Sequence, residues 1–369
     1  MQIITSTSQL YNCLETVEKA LPFRSTVPTI NNILLEADNN VLKFYSTNLE
    51  MAISVKMDYK SNNAGKILIP PKIIDIIRYF PVPEVNIIIN LDNYQIDISG
   101  GSAHFKLNGS DAQDYPVANF GQINKDNSYN IEERTFKKLL KAVIFAASTE
   151  ETRPAFNGIY FSFYDNKMRL TASDTYRLVI KEIVNDGWSF QDNSCLVPAR
   201  VIRELLRIIG DSEQDVFLGI DNKGIAIFFE ETKFISRLLE EKYPDVSGVI
   251  PKEYKTRVVI NRKSLEDAIN RASLLAEGKN QAVNLVLANN QLEIKVSSQE
   301  GHMEEVIPVE QDGEDINLHV NTRFILDILK ILEVDEMILD FHGNEGPLIF
   351  RLIDDQTYLY LVLPIKRIN

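Results

Sequence analysis

"ILIPPKIIDIIRYF" (residues 67–80), "CLVPARVIRELLRII" (195–209) and "LHVNTRFILDILKIL" (318–332) read alike: an apolar run, a turn residue, then an apolar stripe at helical spacing. Pro70, Pro198 and Asn321 hold equivalent places, 128 and 123 residues apart. A second marker recurs with the same period. The Asn-containing turns of "ADNNVLKF" (37–44), "YDNKMRL" (164–170) and "ANNQLEI" (288–294) put Asn40, Asn166 and Asn290 at spacings of 126 and 124. Two independent markers at close to one third of 369 residues imply three copies of one unit.

Each copy also opens with an amphipathic helix: "SQLYNCLETVEKAL" (8–21), "RTFKKLLKAVIFAAS" (134–148) and "SLEDAINRASLLAE" (264–277) carry their apolar residues on one face. Short alternating strands follow. One copy therefore reads helix, strands, helix, strands, a doubled half-unit in an α+β arrangement. The polar stretch 121–130 and the stretch 246–254 are the expected joints, which divides the chain into domains 1–124, 125–250 and 251–369.

The net charge of −13 argues against a nucleic-acid partner only if it is evenly spread. It is not. The six helical segments 8–24, 70–80, 132–148, 198–210, 261–279 and 321–332 hold 17 Lys and Arg against 10 Asp and Glu, a net +7 that leaves −20 on the rest. Helices sharing one geometry would face one side, giving a basic helical face and an acidic exterior, which draws a phosphate backbone to one side only. Three like units joined head to tail leave a free face at each end, so two chains could close a heterologous ring. Twelve helices at about 10 Å each give a circumference of about 120 Å and a diameter of about 38 Å, wide enough for duplex DNA.

Other classes are excluded by what is missing. No run of about eighteen apolar residues would span a membrane, and "MQIITSTSQLYN" lacks the pattern of a signal peptide, so a cytoplasmic protein is expected. Cys13 and Cys195 have no CxxC partner and are expected to be reduced core residues. The histidines at 104, 302, 319 and 342 show no metal-ligand spacing, so neither metal nor cofactor is expected. Ser173 and Asp174 in "TASDTYRL" (171–178) invite a hydrolase reading, but no GxSxG, HExxH or GxxxxGK signature accompanies them. A scaffold that binds only proteins is the other alternative, and the basic bias of the helices argues against it.

Four motifs in order, "TRPAFNGIYF" (152–161), "SDTYRL" (173–178), "YPDV" (243–246) and "LVLPIKRIN" (361–369), make the chain resemble the bacterial DNA polymerase III beta subunit family, the processivity sliding clamps, over its whole length. The resemblance implies three tandem clamp domains and a head-to-tail homodimer closing a ring, with helices inside and sheets outside. It implies a non-enzymatic subunit that encircles double-stranded DNA without sequence preference. Short hydrophobic motifs of the replicative polymerase, the clamp loader and other replication and repair proteins would dock in one pocket.

By the same resemblance that pocket comprises Arg153, Phe156 and Gly158, the hairpin Ser173, Asp174, Thr175, Tyr176, Arg177 and Leu178, then Pro244 and Val249. Asn321, Phe324 and Pro347 join it, with the tail Val362, Leu363, Pro364, Ile365 and Lys366. Arg24, Lys72, Arg200 and Arg203 would contact DNA. Phe105 and Leu107 of one chain would meet Leu274 and Leu275 of the other. The sequence departs from the family pattern at Gly248, Asn280 and Tyr176, and at Pro154 and Ala155 after Arg153, which bears on the pocket rim and on a DNA contact at that loop.

Overall fold

A computed structural model describes the chain apart from residues 39, 60–63, 118–122, 124, 126–127, 151, 189, 279–280 and 366–369. Among the described residues six α-helices form where the periodicity predicts them: α1 (Thr7–Glu18), α2 (Lys72–Arg78), α3 (Glu133–Ile144), α4 (Ala199–Ile208), α5 (Arg262–Ser273) and α6 (Thr322–Leu329). In α5 the apolar residues Leu265, Ala268, Ile269 and Ala272 recur at helical spacing and are buried, while Asn261 caps the start by accepting from the Ser264 N–H at 2.9 Å. Asn321 caps α6 in the same way through the Arg323 N–H. The three Asn-marked turns depend on left-handed backbone, with positive φ at Asn40, Asp165, Asn289 and Asn290, a conformation that short polar side chains tolerate best.

The threefold repeat is also present in the backbone hydrogen bonds. The N–H groups of Thr7, Glu133 and Arg262, which open or immediately precede the first helix of each pair, donate to the carbonyls of Pro83, Gln214 and Asp335 just beyond the second helix. Side chains reinforce each of these ties. The Thr7 hydroxyl donates to the Val82 carbonyl, and the Arg262 guanidinium reaches the Leu329 and Val334 carbonyls. The buried carboxylate of Glu133 accepts from the Gly210 N–H, the Ser212 N–H and the Ser212 hydroxyl, while Lys137 donates to the Ile209 carbonyl at the end of α4.

The chain forms two compact units, Met1–Lys137 with Val201–Leu238 and Lys138–Arg200 with Leu239–Asn369. The first contains an eight-stranded antiparallel sheet ordered Gly65–Ile69, Ile33–Asp38, Val41–Thr47, Met51–Asp58, Thr232–Arg237, Gly224–Phe229, Asp215–Ile220 and Tyr129–Glu132. Strands from the first and second thirds of the sequence thus share one ladder, joined where Thr232–Ser236 pair with Val55–Met51. The second unit repeats the arrangement. Phe190–Pro198, Gly158–Asp165, Lys167–Ser173 and Arg177–Val184 continue into Tyr358–Val362, Leu348–Leu352, Glu336–Phe341, Thr256–Asn261 and Glu310–Gly313, with the join at Arg177–Lys181 against Val362–Tyr358.

Each unit also has a four-stranded sheet: Gln2–Ser6, Glu84–Asn90, Gln95–Gly100 and Ala103–Asn108 in the first, and His302–Pro308, Gln291–Ser297, Ala282–Ala288 and Ile316–Asn321 in the second. Their edge strands Ala103–Asn108 and His302–Pro308 each pair on one side only among the described residues. Cys13 and Cys195 are buried free thiols, pushed up to about 11 and about 12 by burial, which keeps them protonated and unreactive. No helix among the described residues is long and apolar enough to cross a membrane.

Glu133→Ala should lower stability by about 2–4 kcal/mol in urea denaturation, because three donors lose a charged acceptor at a buried site. A change under about 0.5 kcal/mol would mean that the donors find water instead.

Candidate functional site

The hairpin at 173–177 is closed by its own polar groups. The Ser173 hydroxyl donates to the Arg177 carbonyl at 2.7 Å and accepts from the Thr175 N–H. One Asp174 oxygen accepts from the N–H groups of Tyr176 and Arg177, and the other from Arg177 Nε at 2.9 Å. Thr175 takes a φ of 78°, which tightens the turn. The serine and the acid are therefore engaged in shaping a loop. They do not form a nucleophile and its base.

Arg177 links this loop to the rest of the second unit. It is 7 % exposed, and its terminal nitrogens donate to Asp327 on α6 at 2.6 Å and to the Phe145 carbonyl at 2.8 Å. The guanidinium lies 4.6 Å from the centre of the Phe324 ring and 5.5 Å from that of Phe145. Burial alone would favour its neutral form, but Tyr360, Asp327 and Asp174 outweigh that and raise it above its ordinary value. The three guanidinium nitrogens thus reach three different segments, the hairpin, α6 and the residue after α3.

Strand register decides which side chains share a face. Leu178 pairs with Leu361, whereas Arg177 pairs with Val362. An apolar cluster of Leu178, Ile349, Leu359 and Leu361 results, flanked by Ile180, Val246 and Ile250. Val362, expected in the pocket, instead shares the face of Arg177 and is fully buried. Leu361 takes the place expected of it. The Leu363 N–H donates to the Tyr176 carbonyl and the Ile365 N–H to the His319 carbonyl, so the tail is tied against the hairpin. Tyr176, Val249 and Leu363 are 61 %, 56 % and 41 % exposed, an apolar set left open to solvent beside this buried floor.

The remaining expected pocket residues lie on several elements. Phe156 packs edge-on to Tyr243, which also stacks on Tyr160, and Asp174 lies near enough for its charge to add to burial in raising the Tyr243 phenol. Gly158 permits the close approach of strand Phe190–Pro198, since a Cβ there would sit 2.7 Å from a Leu196 methyl. Phe324 meets Arg177 as above, and its carbonyl accepts from the Tyr360 hydroxyl. Pro347, half-buried, accepts through its carbonyl from His342. Arg153 and Pro244 are exposed, and Pro364 is half-buried. Lys366 and Asn280 lie outside the described residues.

The other expected residues are dispersed. Lys72 opens α2 and pairs with Asp75 at 3.0 Å; Arg24 is exposed after α1; Arg200 and Arg203 lie on α4, the first exposed and the second half-buried. Phe105 and Leu107 occupy the edge strand Ala103–Asn108. Leu274, 80 % exposed, caps α5, with Leu275 after it; the ion pair of Arg271 with Glu305 ties this helix end to the other edge strand, His302–Pro308.

The fold and these motifs define a clamp of three doubled α+β domains. Models of the DNA polymerase III beta subunit match in sequence order, the N-terminal domain over residues 1–119, the central domain over 130–245 and the C-terminal domain over 247–366. The beta sliding clamp of Bacillus subtilis is 30% identical, covering 99% of this chain and 100% of its own. That of Staphylococcus epidermidis is 29% identical over 99% of both. The solved DNA polymerase sliding clamp of Bacillus subtilis matches with a TM-score of 0.94 at 29% identity, covering 100% of this chain and 99% of that one. A putative DNA polymerase III beta subunit from Eubacterium rectale gives 0.94 at 27%, over 100% of both. The chain belongs to the DNA polymerase III beta subunit family.

Arg177→Met should destabilise the protein by about 3–5 kcal/mol, because it strands the Asp174 and Asp327 carboxylates. Tyr176→Ala, at an exposed ring, should stay within about 0.5 kcal/mol. Thermal denaturation of the two variants side by side checks the contrast, and equal melting would contradict the role given to Arg177.

Proposed function

We propose that the protein is a sliding clamp: two copies close a ring around duplex DNA and tether the replicative polymerase and other DNA enzymes through the apolar site beside the 173–177 hairpin. The observation that carries this reading is the strand pairing. In each doubled domain two strands end a half-unit, and they form the pairs Met51–Asp58 with Thr232–Arg237 and Arg177–Val184 with Tyr358–Val362. His302–Pro308 and Ala103–Asn108 are the corresponding strands left over. A second copy supplies the missing partner for each, and head-to-tail closure satisfies both edges at once.

Phe105 and Leu107 on one edge, with Leu274 and Leu275 beside the other, would exclude water from that joint. The three domains, bounded near 124 and 250, would turn their net-positive helices toward the DNA, where Arg24, Lys72, Arg200 and Arg203 meet phosphates without reading bases. The excess acid on the remaining surface favours the inside of the ring over any other binding mode. On this reading the protein has no catalytic site of its own, needs no metal or cofactor, and works in the cytoplasm.

The docking site suits short peptides with apolar anchors seated against Leu178, Val249, Leu361 and Leu363, while Arg177 and Pro364 hold its shape. A site that many enzymes use in turn calls for modest affinity, and a dissociation constant near 1 μM corresponds to about −8.2 kcal/mol. Deleting residues 363–369 should leave the dimer intact by sedimentation while reducing polymerase stimulation on primed circular template more than tenfold. Unchanged stimulation would contradict the docking assignment.

A further inference from the structure

One row of cross-strand partners runs from the apolar docking floor into a charged cavity. Leu178 pairs with Leu361, Leu361 with Ile349, Ile349 with Asp340, and Asp340 with Arg257. The cavity, about 390 Å³, is lined by Pro251, Lys252, Glu253 and Tyr254 on one side and by Arg257, Asp340, His342 and Arg351 on the other. Its wall continues directly from Ile250, which packs on the docking floor. Arg351 sits across from Leu359, another residue of that floor.

Asp340 is 2 % exposed and already saturated. Arg257 holds it with two bonds of 2.6 and 2.8 Å, and Arg351 Nε adds a third of 2.9 Å. The terminal nitrogens of Arg351 find no acceptor among the described residues. Three cations, Lys252, Arg257 and Arg351, thus face two carboxylates, Asp340 and Glu253, and Glu253 is exposed. Asp312, opposite Arg257 across the strands and accepting from the Tyr254 hydroxyl, balances the third cation, so what the cavity offers an anion is a guanidinium with a free planar fork. A planar carboxylate matches that fork in both charge and geometry.

We infer that this cavity receives an acidic side chain of the partner peptide, so that partners are selected by a carboxylate as well as by their apolar anchors. The inference rests on the docking reading above. With strands about 4.8 Å apart, Leu361 lies about 10 Å from Asp340 and about 14 Å from Arg257, a span of three to four extended residues. The acid should therefore stand three or four positions from the anchor.

Fluorescence anisotropy with labelled peptides tests this. Each peptide carries a Leu-Phe anchor and either Glu or Gln three or four residues away, on one side or the other. The Glu form with the right spacing should bind about tenfold more tightly at low salt, with the advantage lost near 0.5 M salt, given a Debye length of about 4 Å there. Arg351→Gln should abolish the difference and leave the Gln peptide's affinity unchanged; Arg257 still pairs with Asp340 in this variant, so the fold is kept. Lys252→Gln, at an exposed position, should reduce the difference without touching the core. Equal binding of every Glu and Gln pair, or a Glu advantage that survives Arg351→Gln, overturns the inference while leaving docking intact. If no peptide of either kind binds, the docking reading falls with it. Loss of the advantage in low-millimolar inorganic phosphate but not in equal acetate would assign the cavity to phosphate, and overturn it as well.

Discussion

A strand edge carries a row of backbone N–H and C=O groups that must be paired, covered or left to water, and the architecture of this chain is arranged around that requirement. Strands 51–58 and 177–184 meet partners from the following third of the sequence, 232–237 and 358–362. Each compact unit therefore owes its large sheet to a ladder between segments far apart in the chain. The same requirement, applied to strands 103–108 and 302–308, leads from the fold to the proposed ring, because the repeat supplies each with a partner type that a single chain has already used elsewhere.

The proposed docking site depends on the second of these ladders. Once 358–362 is fixed against 177–184, Leu361 falls beside Leu178 and the tail beyond Val362 is carried to the hairpin. Arg177 then holds the loop, α6 and the end of α3's segment together through Asp174, Asp327 and the Phe145 carbonyl. Its side chain is buried and bonded at each of its three nitrogens, so it cannot serve as a flexible surface cation. The exposed apolar residues around it are held open by a rigid polar node, which favours recognition with little reordering on binding.

Much of this was legible in the sequence because repetition is a one-dimensional signal. The helices and the Asn-marked turns follow from periodicity and from left-handed backbone at Asn40, Asp165 and Asn290. The partner of Arg177 was not legible. Asp327 lies 150 residues away, and no local pattern announces an ion pair closed by tertiary packing. Leu361 could have been found: in "YLYLV" (358–362) alternation puts Leu359 and Leu361 on one face and Tyr358, Tyr360 and Val362 on the other. The saturated Asp340 and its two arginines were hidden for the same reason as Asp327, since strands 256–261, 336–341 and 348–352 come together only in the sheet.

Ring closure by the two leftover strand edges is the central claim, and topology tests it most directly. Protein loaded on nicked circular plasmid by the clamp loader should remain bound through gel filtration, and linearising the plasmid should release it. A Leu274→Ala/Leu275→Ala variant should be lost from both forms, since each truncation removes about 1.5–3 kcal/mol from a joint that must form twice. Equal retention of the unmodified protein on circular and linear DNA, or equal loss from both, would contradict the account.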